Sequence, residues 1–386
     1  MKGSKLNREE YRQCKKCVMD TSDPMISFDS KGVCNHCHEF EELAGRKWFP
    51  DEKGEAHKAV MLEKIKVSGR GKDYDCILGL SGGLDSSYLA LKVHEWKLRP
   101  LVVHVDAGWN SELAVANIEA IVKHCGFDLH THVVDWEEMR DLHLAFLRSG
   151  IANQDVPQDH IFFASLYHFA MGNGIKYILS GGNFATEAIF PKAWHGSAMD
   201  AVNLKAIHRK YGEFKLRDYK TISFFDYYFW YPMIKKMRVL RPLNYMNYNK
   251  ALALEELEEK VGYKSYARKH GESIFTALFQ NFYLPEKFGY DKRRPHFSSL
   301  IASGQMVREE ALAKLGQPLY EPDQLQQDIS YFCKKLRISR SQFDEFLQEP
   351  NRSHLDFPNW NFRYKVLKGL QRIIESLTGR VVRLYS

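Results

Sequence analysis

The stretch Asp75-Cys-Ile-Leu-Gly-Leu-Ser-Gly-Gly-Leu-Asp-Ser-Ser87 decides how this chain folds. Its first half, through Leu80, is a short apolar run of the kind that a strand covered on both faces requires. From Asp85 to Trp96 apolar residues recur at helical spacing, so the string reads as strand, glycine-rich turn, helix. Working outward, residues 101–105 (Leu-Val-Val-His-Val) repeat the strand pattern, 112–125 form a helix, and 128–134 a weaker strand. A helical pattern over 159–172 precedes a fourth strand over 176–180, which ends in Gly181-Gly182-Asn183. Alternating strands and helices imply an α/β fold built on a doubly wound parallel sheet. In such sheets the ligand crevice lies beyond the carboxyl ends of the strands, where Ser81, Asp106 and Gly181 are expected to converge.

The turn carries its own chemistry. Between a strand and a helix, a glycine-rich turn presents backbone N–H groups to an anion at the positive end of the helix dipole. Gly82 and Gly83 let the backbone approach a phosphate closely, and Ser81, Ser86 and Ser87 offer hydroxyls. Asp85 can cap the helix or hold the Mg2+ that accompanies a nucleotide. No G-K-[S/T] follows, so this is not a Walker loop. A lone S-G-G is an ordinary capped turn more often than a site; the seven-residue string after a buried strand shifts the reading to nucleotide phosphate.

Composition bounds the rest. The chain has 386 residues, 44% of them apolar, and a net charge of +7. That length suggests two or three units, and the moderate basic excess suits nucleotides, phosphosugars or RNA without choosing among them. No run approaches the roughly 18 apolar residues of a membrane helix, and the charged segment 1–14 lacks an apolar signal core, so a soluble cytoplasmic protein is expected.

Cys14-Lys-Lys-Cys17 and Cys34-Asn-His-Cys37 are two C-x-x-C knuckles separated by sixteen residues, and the other three of the seven cysteines are scattered. Four thiolates complete a tetrahedral Zn2+ shell with no open position, which makes the expected site structural and lets it fold a segment that has no core of its own. His36 and His38 could replace a cysteine as ligand, with the surface as their expected place, and no disulfides are expected. The breaker-rich Ser68-Gly69-Arg70-Gly71 then marks a linker. The expected units are a zinc ribbon with a linker helix over 1–70, the nucleotide domain over 71–245 and a mainly helical region over 246–386. The aromatic run Phe224-Phe-Asp-Tyr-Tyr-Phe-Trp-Tyr231 reads first as a helix packed all round in a core, with a substrate platform as the rival reading.

S-G-G-x-D-S at a strand-to-helix turn resembles the signature of the PP-loop ATP pyrophosphatases. That resemblance implies cleavage of ATP between the α and β phosphates, with adenine against the end of the second strand (His104, Asp106) and Gly181 and Gly182 touching phosphate. His104 and Asp106 read equally well as plain strand-end residues. Further strings resemble the bacterial N-acetyl sugar amidotransferases of WbpG and PseA type: Cys14-Lys-Lys-Cys-Val-Met-Asp-Thr-Ser-Asp-Pro24, His104-Val-Asp-Ala-Gly-Trp-Asn110, Thr221-Ile-Ser-Phe-Phe-Asp226, Pro285-Glu-Lys-Phe-Gly-Tyr-Asp-Lys-Arg-Arg294 and Ser298-Ser-Leu-Ile-Ala-Ser-Gly-Gln305. The resemblance implies that ATP adenylates the acetamido carbonyl of a nucleotide-linked N-acetyl sugar and that ammonia then gives an acetamidino sugar for lipopolysaccharide O-antigen or a related glycan. Positioning and charge would supply most of the catalysis. Asp85, Ser86, Lys292 and Arg293 are the catalytic candidates, with Arg294 beside them; a solvated charge cluster is the plain alternative for the last three.

No cysteine here has the setting of a glutaminase nucleophile. The resemblance therefore implies two partners, a HisH-like glutaminase and a HisF-like ammonia-channel subunit. Two other readings stay open: a tRNA-thiolating PP-loop enzyme, which the absence of a reactive thiol pair disfavours, and a non-catalytic zinc-ribbon adaptor. On this reading nucleic acid is not the expected partner.

Overall fold

The computed structural model describes residues 11–266 and 271–378. Most of the charged segment 1–14 and the outer ends of the expected first and third units lie outside the described residues. Five parallel strands form the sheet: β1 Cys76–Gly79, β2 Pro100–Asp106, β3 Asp128–Val133, β4 Tyr177–Leu179 and β5 Arg238–Leu240. Their order is β3-β2-β1-β4-β5. The chain winds outward from β1 to β3, returns to β4 on the other side of β1, and so creates a switch point between β1 and β4.

Adjacent β1 residues serve opposite faces. Ile77 belongs to an apolar cluster with Val103, Leu142, Ile161, Ala164 and Leu204. Leu78 belongs to another, with Val102, Leu89, Ile118, Leu243 and Leu257. Helices Trp136–Ser149, Val156–Gly172 and Ala201–Tyr211 therefore cover one face, and Leu84–Glu95, Glu112–Cys125 and Lys250–Val261 the other. This is the doubly wound sheet, with every β1 residue from Cys76 to Leu78 buried. The core also continues across the boundary expected near residue 245, because Tyr248, Ala253 and Leu257 pack in the cluster that holds Leu78.

Two expectations change. β5 is a strand that the sequence pattern did not reveal, three residues long and largely exposed at the sheet edge. The aromatic run is not packed all round: Asp226–Ile234 forms a π-helical segment around Pro232 that buries Tyr228 and Tyr231 and leaves Phe225, Trp230, Met233 and Ile234 exposed. Pro232 lacks an N–H, which favours this irregular winding over a regular helix.

The C-terminal region is helical and includes, beyond Lys250–Val261, the helices Arg293–Ala302, Pro322–Leu336, Arg340–Gln348 and Asn361–Thr378. It joins the sheet through a third cluster in which Trp109, after β2, packs with Phe275, Phe332 and Phe343. No helix among the described residues is long and apolar enough to cross a membrane.

Candidate nucleotide site and cysteine centre

Leu80 donates its N–H to Val103 at 3.0 Å, so sheet pairing ends one residue before the turn. Gly82 then adopts φ +81°, and a Cβ there would lie 2.9 Å from the Ala114 carbonyl oxygen, so both backbone conformation and space demand glycine. The Tyr263 and Tyr266 hydroxyls donate to the Gly82 carbonyl at 3.1 and 2.8 Å, which turns that oxygen away from the crevice. Gly83 opens helix Leu84–Glu95. The loop satisfies itself for the moment: the Gly83 N–H donates to Ser81 Oγ at 3.3 Å, the Ser81 N–H donates to Ser86 Oγ at 3.3 Å, and the two hydroxyls are 3.1 Å apart. These are weak, replaceable bonds at a helix N-terminus, as an anion cradle needs.

The second turn presses directly on the first. A Cβ on Gly181 would lie 2.8 Å from the Ser86 nitrogen and 2.8 Å from the Asp85 carbonyl carbon. Asn183 donates to Asp85 Oδ1 at 3.3 Å, and the buried Tyr248 hydroxyl donates to the same oxygen. Burial and the Asp85 charge hold the Tyr248 phenol well above its ordinary pKa, so it remains a donor. Asp85 Oδ2 receives no hydrogen bond among the described residues, a donor set that fits one carboxylate ligand to Mg2+. Asn183, Tyr248 and Arg241, whose Nε lies 3.9 Å from a Cβ position on Gly182, are site residues that the sequence reading missed. Only Asn183, directly after Gly181-Gly182, carried a local signal.

Other candidates fall differently. Ser87 is fully buried and its hydroxyl has no hydrogen-bond partner, so it does not face the crevice; one residue beyond Ser86 turns it about 100° toward the core. His104 is buried, donates from Nδ1 to the Leu80 carbonyl at 2.9 Å and accepts from Asn110 at Nε2, 2.9 Å away. Asp106 accepts from the Gly108 N–H at 2.7 Å and from Asn110 at 3.1 Å. Both residues thus shape the turn that carries Trp109, and neither side chain is spare for adenine. Lys335 donates to the Gly108 carbonyl and stands 5.1 Å from the Trp109 ring, which fastens the C-terminal region to the end of β2.

Arg293 does not face the phosphate loop. Its guanidinium pairs with Asp291 and donates to the Lys314, Leu315 and Gln317 carbonyls, capping helix Arg308–Leu315. Arg294 reaches the Val18 carbonyl and Asp20, both at 3.0 Å, and so holds the cysteine segment. Lys292 lies over Phe190 at 3.6 Å and acts electrostatically on Asp159 and His195. Burial, with help from Asp155, pushes the Asp159 carboxyl up to about 8, and burial pushes His195 down to about 4. Leu166 packs against Gly79, so Asp159, two turns nearer the helix N-terminus, stands beyond the carboxyl end of β1.

The four cysteines Cys14, Cys17, Cys34 and Cys37 are buried with sulfurs within 4.8 Å of one another. Neighbouring separations are 3.9, 3.6 and 3.7 Å. Tetrahedral Zn2+ with sulfur at about 2.3 Å spaces its ligands about 3.8 Å apart, so the sulfurs fit a closed structural site. The N–H groups of Lys16, Cys17 and Cys34 point at Cys14 Sγ, which suits a thiolate. His36 is not a surface residue: it is buried 2.7 Å from Asp23 and braces the second knuckle from outside the four-cysteine cluster. The ribbon docks through Arg308 on the Cys14 and Cys17 carbonyls and through Phe40, whose ring lies 4.8 Å from Phe184. Phe184 follows Asn183, so the cysteine centre supports the second glycine turn.

Residues 272–371 match the family model described as LPS biosynthesis protein WbpG-like, C-terminal domain. The uncharacterized protein MJ1599 of Methanocaldococcus jannaschii is 24% identical over 317 residues, covering 79% of this chain and 94% of that protein. Similar solved structures include the NMN synthetase from Francisella tularensis, at a TM-score of 0.37 and 13% identity over 69% of this chain and 92% of that one. The NH3-dependent NAD synthetase of Campylobacter jejuni gives a TM-score of 0.28 and 13% identity over 41% of this chain and 72% of that one. The chain thus joins a WbpG-like C-terminal domain to a parallel sheet whose switch point carries the S-G-G-x-D-S turn.

Proposed function

We propose that this chain is an ATP pyrophosphatase-type amidotransferase that converts the acetamido group of a nucleotide-linked N-acetyl sugar to an acetamidine. The observation that supports it most is the apposition of the two glycine turns, Gly181 against the Asp85–Ser86 backbone, beside a WbpG-like domain. The backbone amides of Gly82 and Gly83 would take the phosphates that become pyrophosphate, and the Ser81 and Ser86 hydroxyls would exchange their mutual bond for phosphate oxygens. Asp85 Oδ2 would hold Mg2+, which supplies charge neutralisation to the leaving pyrophosphate.

The amide oxygen attacks the α phosphorus and pyrophosphate leaves, giving an O-adenylyl imidate. Ammonia then adds to the imidate carbon and AMP departs with the former carbonyl oxygen. Asp159, beyond the carboxyl end of β1, and the Lys292 whose charge acts on it and on His195 are the side chains proposed to face the acceptor. The remaining cysteines support an outside source of ammonia, since Cys76, Cys125 and Cys333 are all buried and burial raises each thiol pKa, Cys125 to about 12. A HisH-like glutaminase and a HisF-like channel subunit would supply it.

Mass spectrometry of the products tests this, using magnesium, ammonium salt at mildly alkaline pH and a panel of UDP- and CMP-linked acetamido sugars. AMP, pyrophosphate and a sugar lighter by about one mass unit, from exchange of O for NH, are expected. AMP formed only with tRNA and a sulfur donor would assign the loop to thiolation instead.

A further inference from the structure

Helix Asn361–Thr378 presents Phe362, Val366, Leu370, Ile373, Ile374 and Leu377 to solvent, with Phe362 77% and Leu377 81% exposed and the other four close to half. At about 100° per residue these six side chains fall within an arc of about 120°. The body of the protein holds a different side: Tyr364 and Leu367 pack on the apolar cluster around Ile77, and Tyr364 lies 5.6 Å from Tyr228. An exposed apolar arc of this size on a helix anchored along another edge marks an interaction surface.

Charge narrows the choice. Between Asn361 and Thr378 the sequence has four cations, Arg363, Lys365, Lys368 and Arg372, against the single anion Glu375. Lys365 and Arg372 border the arc on the side away from the body, Arg363 lies within it, and Lys368 falls beside the body-facing Tyr364, 5.7 Å from its ring. A second copy of the chain seated on this face would bring like charges together along the seam. The neighbouring π-helical segment, which touches this helix through Tyr228, repeats the pattern: Phe225, Trp230, Met233 and Ile234 are exposed, and Lys235 lies 5.2 Å from the Trp230 ring. Apolar side chains bordered by cations, with aromatic rings among them, match a helix lying in the plane of a lipid interface.

We propose that helix Asn361–Thr378 docks on an anionic lipid bilayer, its apolar arc in the boundary between headgroups and acyl chains and its cations on lipid phosphates. The inference is independent of the acceptor assigned to the nucleotide site. Membrane attachment of this kind keeps the catalytic sheet outside the lipid.

The test is co-sedimentation of the full-length, zinc-loaded protein with phosphatidylcholine vesicles and with vesicles also containing phosphatidylglycerol. Partition into the anionic vesicles should exceed that into neutral ones by about tenfold or more and should fall at high salt. The double variant Leu370→Glu, Ile373→Glu should lose about tenfold or more of that partition while keeping its circular dichroism and ATP turnover. Equal, weak partition into both vesicles would overturn the proposal. A wild-type dimer that the same variant converts to monomer in sedimentation velocity, with no lipid effect, would overturn it in favour of a second copy. An acidic protein captured through this helix, without vesicle binding, would overturn it as well.

Discussion

The cysteine centre and the phosphate loop are both small, built from short motifs, and opposite in design. In the first, four buried sulfurs fill every ligand position and the surrounding N–H groups point inward. In the second, the Ser81 and Gly83 amides are only loosely engaged by neighbouring hydroxyls, and one carboxylate oxygen of Asp85 is left for an outside ligand. A closed site stabilises the fold, whereas an open one stores binding capacity. Composition alone does not separate them; the destination of each donor and acceptor does.

The largest expected effect follows from opening the closed site. Structural zinc contributes an apparent binding energy on the order of 10 kcal/mol in small zinc modules, so chelation or Cys34→Ser should unfold the ribbon. Hydrogen exchange should show amides of residues 11–47 losing protection while those of β1 and β2 keep theirs. Protection that survives complete metal removal would show that packing, through Phe40 and Arg308, suffices.

Altering the open site should act on rate and spare the fold. Asp85→Asn keeps the Tyr248 and Asn183 contacts in shape but removes the charge, and pyrophosphate release should fall by about 10²–10³, with the melting temperature little changed. A variant that melts many degrees lower would mean that Asp85 is structural and that the contrast between the two sites is false.

A smaller effect probes the joint between the sheet and the C-terminal region. His143 is buried, accepts from the Trp109 indole at 3.0 Å, and is pushed by burial down to about 3. Its folded pKa is thus below its unfolded value of about 6.5, so the unfolded chain takes up a proton that the folded chain refuses, and stability falls as pH drops from about 6.5 toward 3. At pH 5 the loss is about 2 kcal/mol. Denaturant titrations at pH 7 and pH 5 should show it, and His143→Leu should flatten the difference; an unchanged pH slope in that variant would move the effect to other groups.

The readable parts of this chain were those in which local pattern and tertiary role coincide. Ile77 and Leu78 announce a doubly covered strand, Gly82 needs its positive φ, and two C-x-x-C pairs leave few alternatives to a metal. Illegible were contacts between residues distant in sequence. Tyr248 meets Asp85 across 163 positions, and nothing in its neighbourhood says so. β5 escaped notice because three exposed residues at a sheet edge carry no apolar alternation, and Arg241 was lost with it. The basic triplet at 292–294 looked uniform and was divided by the fold among three settings: Lys292 over the Phe190 ring, Arg293 capping a helix, Arg294 gripping the ribbon.

Phe184 closes the Gly181-Gly182 turn on one side and packs against the cysteine module on the other. The turn proposed to hold a nucleotide therefore rests on a cysteine cluster more than a hundred positions earlier in the chain. Emptying that cluster would loosen the glycine turn while the central sheet stayed intact, so that recovery would need only the cysteine module to refold, not the whole chain.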